Sequence, residues 1–123
     1  NMNFCWATIQ VSDMEKSLSF YQDVIGLKIN RRMQPMPGIN IVFLGSGGTE
    51  IELIHNDKKT NFNYGKDISL GFTVESLDNM MEFLNSRNMP IHSGPFQPSP
   101  FIKFLYILDP DGLKIQFVEN IKA

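Results

Sequence analysis

The sequence predicts an α+β protein of two tandem βαβββ modules, with curled mixed sheets forming a concave cleft and helices on the outer face. Three observations carry this. The chain repeats itself, with Leu44–Asn56 falling on Leu108–Asn120, an offset of 108 − 44 = 64. Each half opens on a short apolar run followed by a helical pattern with start and stop signals. Each half closes on a turn flanked by alternating apolar and polar residues.

In the repeat, Leu44, Gly48, Ile51 and Asn56 match identically, while Leu53 meets Phe117 and Ile54 meets Val118. Earlier in the chain Val11 meets Val74, Met14 meets Leu77 and Phe20 meets Phe83, an offset of 74 − 11 = 63. A one-residue loop insertion gives such a drift. The boundaries expected are a single domain over 1–123, with one module over 1–62 and the other over 63–123.

The first strand is expected over Phe4–Val11 and its mate over Ile68–Val74. Ser12-Asp13-Met14-Glu15 reads as a capping box, Ser12 capping and Glu15 reaching back. Leu18, Tyr21, Val24 and Ile25 form a helical stripe that Gly26 ends. The second helix starts at Ser76, carries Leu77, Met80, Met81 and Leu84, and stops near Asn88, before Pro90. Further strands are expected over Leu27–Met33, Ile39–Leu44 and Thr49–His55. The second half has a weak strand near Ile91, then Ile102–Leu108 and Leu113–Glu119. Gly45–Gly48 and Asp109–Gly112 read as four-residue hairpin turns. Pro35–Gly38 and Gly94–Pro100 read as irregular loops, the latter a stiff surface connection or a lid.

The chain has 123 residues with 11 Lys and Arg against 13 Asp and Glu, a net charge of −2. That length suits one domain with its own core. No basic surplus points to nucleic acid, and Arg31-Arg32 and Lys58-Lys59 are isolated pairs. No apolar run approaches the ~18 residues of a membrane span. The N-terminus lacks a basic region followed by an apolar stretch, so no signal peptide is expected, and Asn1 before Met2 reads as an expression remnant. One cysteine, Cys5, excludes an internal disulfide and fits a reducing cytoplasm.

Strand alternation separates two faces. Cys5, Ala7, Ile9, Val11, Ile51, Leu53, Leu113, Ile115 and Phe117 are expected under the helices, with Cys5 an inert buried thiol. Trp6, Thr8, Gln10, Glu50, Glu52, Ser69, Gly71, Thr73, Lys114 and Gln116 then face away. Four-residue turns would place Ile41 and Phe43 beside Glu50 and Glu52, and Leu105 and Ile107 beside Lys114 and Gln116. Apolar walls with a few polar groups suit a small-molecule pocket. The same mixture would suit a dimer interface or a second core. Glu50 and Glu52, two apart on one face, could share that pocket and raise one carboxyl pKa. His55 falls on the opposite face at a strand end, and His92 lies in a connecting stretch. Asp109 and Asp111 belong to a turn.

The stretches Val11-Ser12-Asp13, Ser17-Leu18-Ser19-Phe20-Tyr21 and Gly26-Leu27-Lys28 resemble the first helix of the vicinal-oxygen-chelate superfamily. Asp109-Pro110-Asp111-Gly112-Leu113-Lys114-Ile115-Gln116 resembles that family's hairpin. This is the group of glyoxalase I, bleomycin-resistance proteins and extradiol dioxygenases, and the likeness spans the chain. It implies the duplicated βαβββ fold. It also implies four ligand positions for a divalent metal, which fall here on Trp6, Glu52, Ser69 and Gln116. Only Glu52 is a usual ligand. Trp6 offers no acceptor, Ser69 is a poor ligand and Gln116 has one amide oxygen. No metal and no other cofactor are therefore expected.

Two functions compete, with a third behind them. A metal-free binder like the bleomycin-resistance branch would hold an aromatic or amphipathic molecule on Trp6, Thr8, Ile41, Phe43, Glu50, Glu52, Ser69, Leu105, Ile107, Lys114 and Gln116. Glu50 and Glu52 would then attract a cationic group. A lyase or isomerase of the glyoxalase I type would need a metal, with Glu52 the best candidate for ligand or catalytic base. An interaction module would fill the cleft with its own side chains. The resemblance also implies a homodimer in which modules can be exchanged, and twofold dimers are the commonest oligomers.

Overall fold

The computed structural model describes residues 1–122. Backbone pairing divides the chain into two compact units, the first Asn1–Asn63 and the second beginning at Tyr64. The first contains β1 (Trp6–Gln10), α1 (Met14–Ser19), β2 (Ile29–Met36), β3 (Ile39–Leu44) and β4 (Glu50–Asn56). The second contains β5 (Ser69–Thr73), α2 (Leu77–Ser86), β6 (Ser93–Ser99), β7 (Ile102–Leu108) and β8 (Lys114–Asn120). Strand order is β1-β4-β3-β2 in one sheet and β5-β8-β7-β6 in the other. In each, the first strand runs parallel to the last and the remaining pairs are antiparallel. The βαβββ order is present twice, as the sequence predicts.

The first helix starts one residue later than the capping box implies. Asp13, not Ser12, holds the extended cap conformation, and its carboxylate accepts the Lys16 N–H at 3.1 Å. A carboxylate there also meets the positive end of the helix dipole. Glu15 does not reach back; it pairs with Arg32 at 3.5 Å. The helix widens into a π-helical segment over Phe20–Val24. Gly26 ends it as expected, at φ +86°, with the Leu27 N–H on the Tyr21 carbonyl. The second helix follows the prediction closely. Ser76 caps Asn79 N–H at 3.1 Å, and the left-handed Asn88 follows the last turn.

The Gly94–Pro100 stretch is not an irregular loop. Most of it lies in β6, which borders only β7. Proline has no N–H, yet an edge strand tolerates that loss, and here the ladder breaks on both sides of Phe96. Likewise Pro35 and Met36 extend β2, which turns through Pro37-Gly38 alone. Gly38 has φ +86°, and a Cβ there would lie 2.7 Å from the Asp57 carboxylate oxygens. Cys5 is exposed rather than buried, because β1 begins after it.

Each unit buries the sheet face under its own helix. Ile9, Leu53, Val42 and Leu44 join Met14, Leu18 and Tyr21 in the first. Leu105, Ile107, Ile115 and Phe117 join Leu77 and Leu84 in the second. Here the hairpin register corrects the sequence reading. Leu44 pairs with Ile51, two positions beyond the expected Thr49, so the faces of β3 stay as expected. Leu108 pairs with Lys114, one position beyond Leu113, and a one-residue shift exchanges the faces. Leu105 and Ile107 therefore point into the core, and Phe104, Tyr106 and Leu108 take the free face. The inserted residue of the repeat sits in this hairpin, since Phe43 faces Glu52 while its mate Tyr106 faces Gln116.

Asp109 sets that turn. Its buried carboxylate accepts the N–H groups of Asp111 and Leu113, each at 2.9 Å. Its own N–H donates to the Leu113 carbonyl, and Gly112 supplies φ +93°. Tyr64 lies against the same turn. Burial first, then the charges of Asp111 and Asp109 and a hydrogen bond to Asp111, hold its phenol above the ordinary tyrosine range. No helix among the described residues is long and apolar enough to cross a membrane.

Two outcomes follow from this turn. Asp109→Ala strands buried N–H groups and is expected to cost about 1–3 kcal/mol, read from urea unfolding. A phenol that keeps its proton longer when folded adds stability that is complete below the unfolded pKa of about 10 and is lost above it. Unfolding midpoints should thus fall as pH rises past about 10, and Tyr64→Phe should flatten that slope; an unchanged slope would remove Tyr64 as its source.

Candidate functional site

The free face of the first sheet is centred on Phe43. Register places Trp6 beside Glu50, Thr8 beside Glu52, and Phe43 between Glu52 and Arg31. Ile41 is on the same face, next to Met33. The rings of Trp6 and Phe43 meet edge to face at 5.0 Å, a favoured geometry for aromatic pairs. The Arg31 guanidinium stacks over the opposite partner, 3.9 Å from the Phe43 centroid. Phe43 is thereby buried, whereas Trp6 keeps 39% of its surface exposed.

The two carboxylates of this face have separate partners. Arg31 grips Glu50 at 3.1 Å and 3.4 Å, and the Asn30 amide adds a third contact at 3.1 Å. Glu50 is therefore paired with a cation inside its own sheet. Glu52 is buried, and its carboxylate accepts the Thr8 hydroxyl. No cation pairs with Glu52 among the described residues. The pair do not form the carboxylate dyad that their spacing allowed.

The free face of the second sheet is built on Tyr106. Ser69 pairs with Lys114, and Gly71 with Gln116. The Gln116 amide N–H donates to the Tyr106 hydroxyl at 3.4 Å. Its carbonyl oxygen leans over Gly71, where an added Cβ would lie 3.2 Å away. Glycine thus stands where the first unit has Thr8. The Lys114 ammonium lies 4.4 Å from the Tyr106 centroid, and Phe104 packs edge-on at 5.8 Å. Phe96 extends this aromatic row from β6, 5.4 Å from Phe104.

Trp6, Thr8, Ile41, Phe43, Glu50 and Glu52 thus share one face, and Ser69, Lys114 and Gln116 share the other. Leu105 and Ile107 leave the candidate set, because they are core. Arg31, Phe104 and Tyr106 join it. Arg31 was concealed in a doubly basic stretch, and Tyr106 by apolar neighbours on both sides. His55 is on the helix side, with Nδ1 3.1 Å from the Val11 carbonyl, and His92 contacts Ser93.

The four positions that the resemblance assigns to a metal carry few donors. Trp6 carries no lone pair for a metal, and its ring packs on Phe43. Ser69 is a neutral hydroxyl. The Gln116 nitrogen faces Tyr106. Glu52 is left as the one anionic donor, and among the described residues no three His, Cys, Asp or Glu side chains cluster. This donor set does not fit a divalent transition metal, which wants imidazole and carboxylate at several positions.

Face assignment in the second unit is open to direct measurement. Leu105→Ala should cost about 2–5 kcal/mol as a core truncation. Tyr106→Phe should leave the urea midpoint within about 0.5 kcal/mol of its starting stability, as a free-face change. The reverse order would return Leu105 to the free face.

Comparison with known proteins agrees with this architecture. The family model described as Glyoxalase/Bleomycin resistance protein/Dioxygenase superfamily matches residues 4–117. The chain is 29% identical to a lactoylglutathione lyase of Neisseria meningitidis, over 97% of this chain and 91% of the relative. Among solved structures it is similar to the trypanothione-dependent glyoxalase I of Leishmania major, with TM-score 0.80 and 26% identity over 97% of this chain and 87% of that one. It is also similar in fold to TnmS3, an antibiotic-binding protein of Streptomyces, with TM-score 0.73 and 21% identity over 98% and 97% of the two chains. With its duplicated βαβββ units and a family model spanning nearly the whole chain, the protein belongs to the glyoxalase/bleomycin-resistance/dioxygenase superfamily.

Proposed function

We propose that the protein binds a small aromatic or amphipathic molecule on the free faces of its sheets without a metal. The exposed Trp6 ring on Phe43 carries the reading. A half-exposed indole flanked by a buried carboxylate offers stacking surface and one oriented acceptor, the pattern of a ligand wall. The second sheet adds Phe104, Tyr106, Lys114 and Gln116. In this reading residues 1–123 act as one domain, as a cytoplasmic homodimer. TnmS3 is an antibiotic-binding protein on the same fold, which lends support by analogy of fold alone.

A second reading rests on the relatives named lactoylglutathione lyase. It makes Glu52 a base or ligand in a metal-assisted reaction. The positions of Trp6 and Ser69 weigh against it, because they remove two donors that such chemistry requires.

Calorimetric titration of metal-stripped protein with Ni²⁺, Zn²⁺, Mn²⁺ and Fe²⁺ separates the two. The metal-free reading expects no binding tighter than ~100 μM, whereas an aromatic ligand should raise the melting temperature. One tight ion per chain, lost in Glu52→Ala together with lactoylglutathione lyase activity, would replace the binding reading with the lyase. Gel filtration checks the dimer, and a monomer would remove it.

A further inference from the structure

Among the described residues the second sheet's free face carries one charge. Lys114 projects from β8 over the Tyr106 ring and is half-buried. It forms no ion pair among the described residues, whose pairs are Arg31 with Glu50, Arg32 with Glu15 and Lys103 with Asp78. The acidic and basic neighbours in the same sheet point to the helix side. Glu119 accepts the Leu77 N–H at 2.7 Å, and Lys103 reaches Asp78 on α2 at 3.7 Å. In the first sheet Arg31, from a different strand position, stacks on Phe43 as Lys114 stacks on Tyr106, but it is held by Glu50. Lys114 is thus the cation of the two free faces that lacks a carboxylate.

The nearby hydroxyls of Tyr106 and Ser69 can each donate. The Tyr106 oxygen accepts from Gln116, so its own proton is free to point outward. Ser69 stands beside Lys114 in register. Phe104 and Phe96 continue the aromatic surface from the charged end. An anion arriving on an aromatic body would give the Lys114 ammonium a charge partner while covering the rings.

From this we infer that the ligand is an aromatic carboxylate. Its anion pairs with Lys114 and accepts the Tyr106 hydroxyl, while its ring covers Phe104. The inference rests on the small-molecule reading above and fixes the sign of the ligand's charge, opposite to what Glu50 and Glu52 suggest in the sequence.

The test compares three probes of one shape, 1-naphthoate, 1-naphthylmethanol and 1-naphthylmethylammonium, by calorimetry. Naphthoate should bind about tenfold more tightly than the alcohol, the size of one charge-assisted contact. The preference should disappear in Lys114→Met, survive in Lys114→Arg and in the off-face control Lys28→Met, and shrink about threefold in Tyr106→Phe. Rising salt should erode it. Melting curves confirm that each variant folds, and Lys114→Arg repeats the comparison with the charge retained. Equal binding of naphthoate and alcohol, or a preference that survives Lys114→Met, would overturn the charge assignment and leave the small-molecule reading standing. Failure of all three probes at millimolar concentration would overturn both.

Discussion

Adding one residue to a hairpin turn exchanges the two faces of the strand it joins, because side chains alternate with a period of two. The Asp109 carboxylate imposes that choice in the second unit. By gathering the Asp111 and Leu113 N–H groups it pairs Leu108 with Lys114. Every later pair in the hairpin follows, down to Ile102 opposite Asn120. Leu105 and Ile107 then close the core with Ile115 and Phe117, and Tyr106 meets Gln116 on the free side. The chemistry available to the second sheet is thus decided at a turn rather than at the site. The first unit has no equivalent carboxylate. Its Gly45–Thr49 turn lets Leu44 pair with Ile51, and Phe43 stands opposite Glu52.

Duplication makes the consequence visible. Phe43 and Tyr106 occupy equivalent places, and each ring has a cation over it. Glu52 and Gln116 are equivalent, as are Glu50 and Lys114. One unit therefore pairs its cation with a carboxylate, and the other has its cation at the carboxylate's place. The exposed part of the Arg31–Glu50 pair limits its contribution to stability to about 0–1 kcal/mol. Its larger effect is positional, because it fixes a guanidinium against Phe43.

Much of this was legible in the sequence, for physical reasons that also mark the limits. Helix α2 could be read because Ser76, the apolar stripe and Asn88 agree with one another. The free face of β1 and β4 could be read because Ala7, Ile9, Ile51 and Leu53 alternate cleanly with polar residues. Strand β7 could not, since Phe104, Leu105, Tyr106, Ile107 and Leu108 are apolar or aromatic on both sides, and alternation carries no information there. Only the Asp109 turn decides it. Strand β6 was hidden by its prolines, which an edge position tolerates. The helix cap was displaced because Ser12 and Asp13 are both good caps, and the carboxylate prevailed. Arg31 gave no signal, for its role depends on Glu50 and Phe43 coming from two other strands.

The donor set connects fold to chemistry most sharply. A family fold guarantees a place for a site, not the groups within it. Glu52 sits where a ligand or base would be useful, yet its partner is the Thr8 hydroxyl, a neutral donor suited to orienting a carboxylate. At the equivalent place the second unit has Gly71 and Gln116, so the amide is oriented by Tyr106 instead. An indole, a hydroxyl and an amide are poor company for a divalent cation and good company for an aromatic molecule with polar edges. The substitutions are mutually consistent: Trp6 pairs with Phe43, Gln116 with Tyr106, and Lys114 covers the same ring. Losing metal ligands one at a time would leave isolated polar gaps. Here Trp6 and Gln116 are instead each packed against an aromatic neighbour, Phe43 and Tyr106.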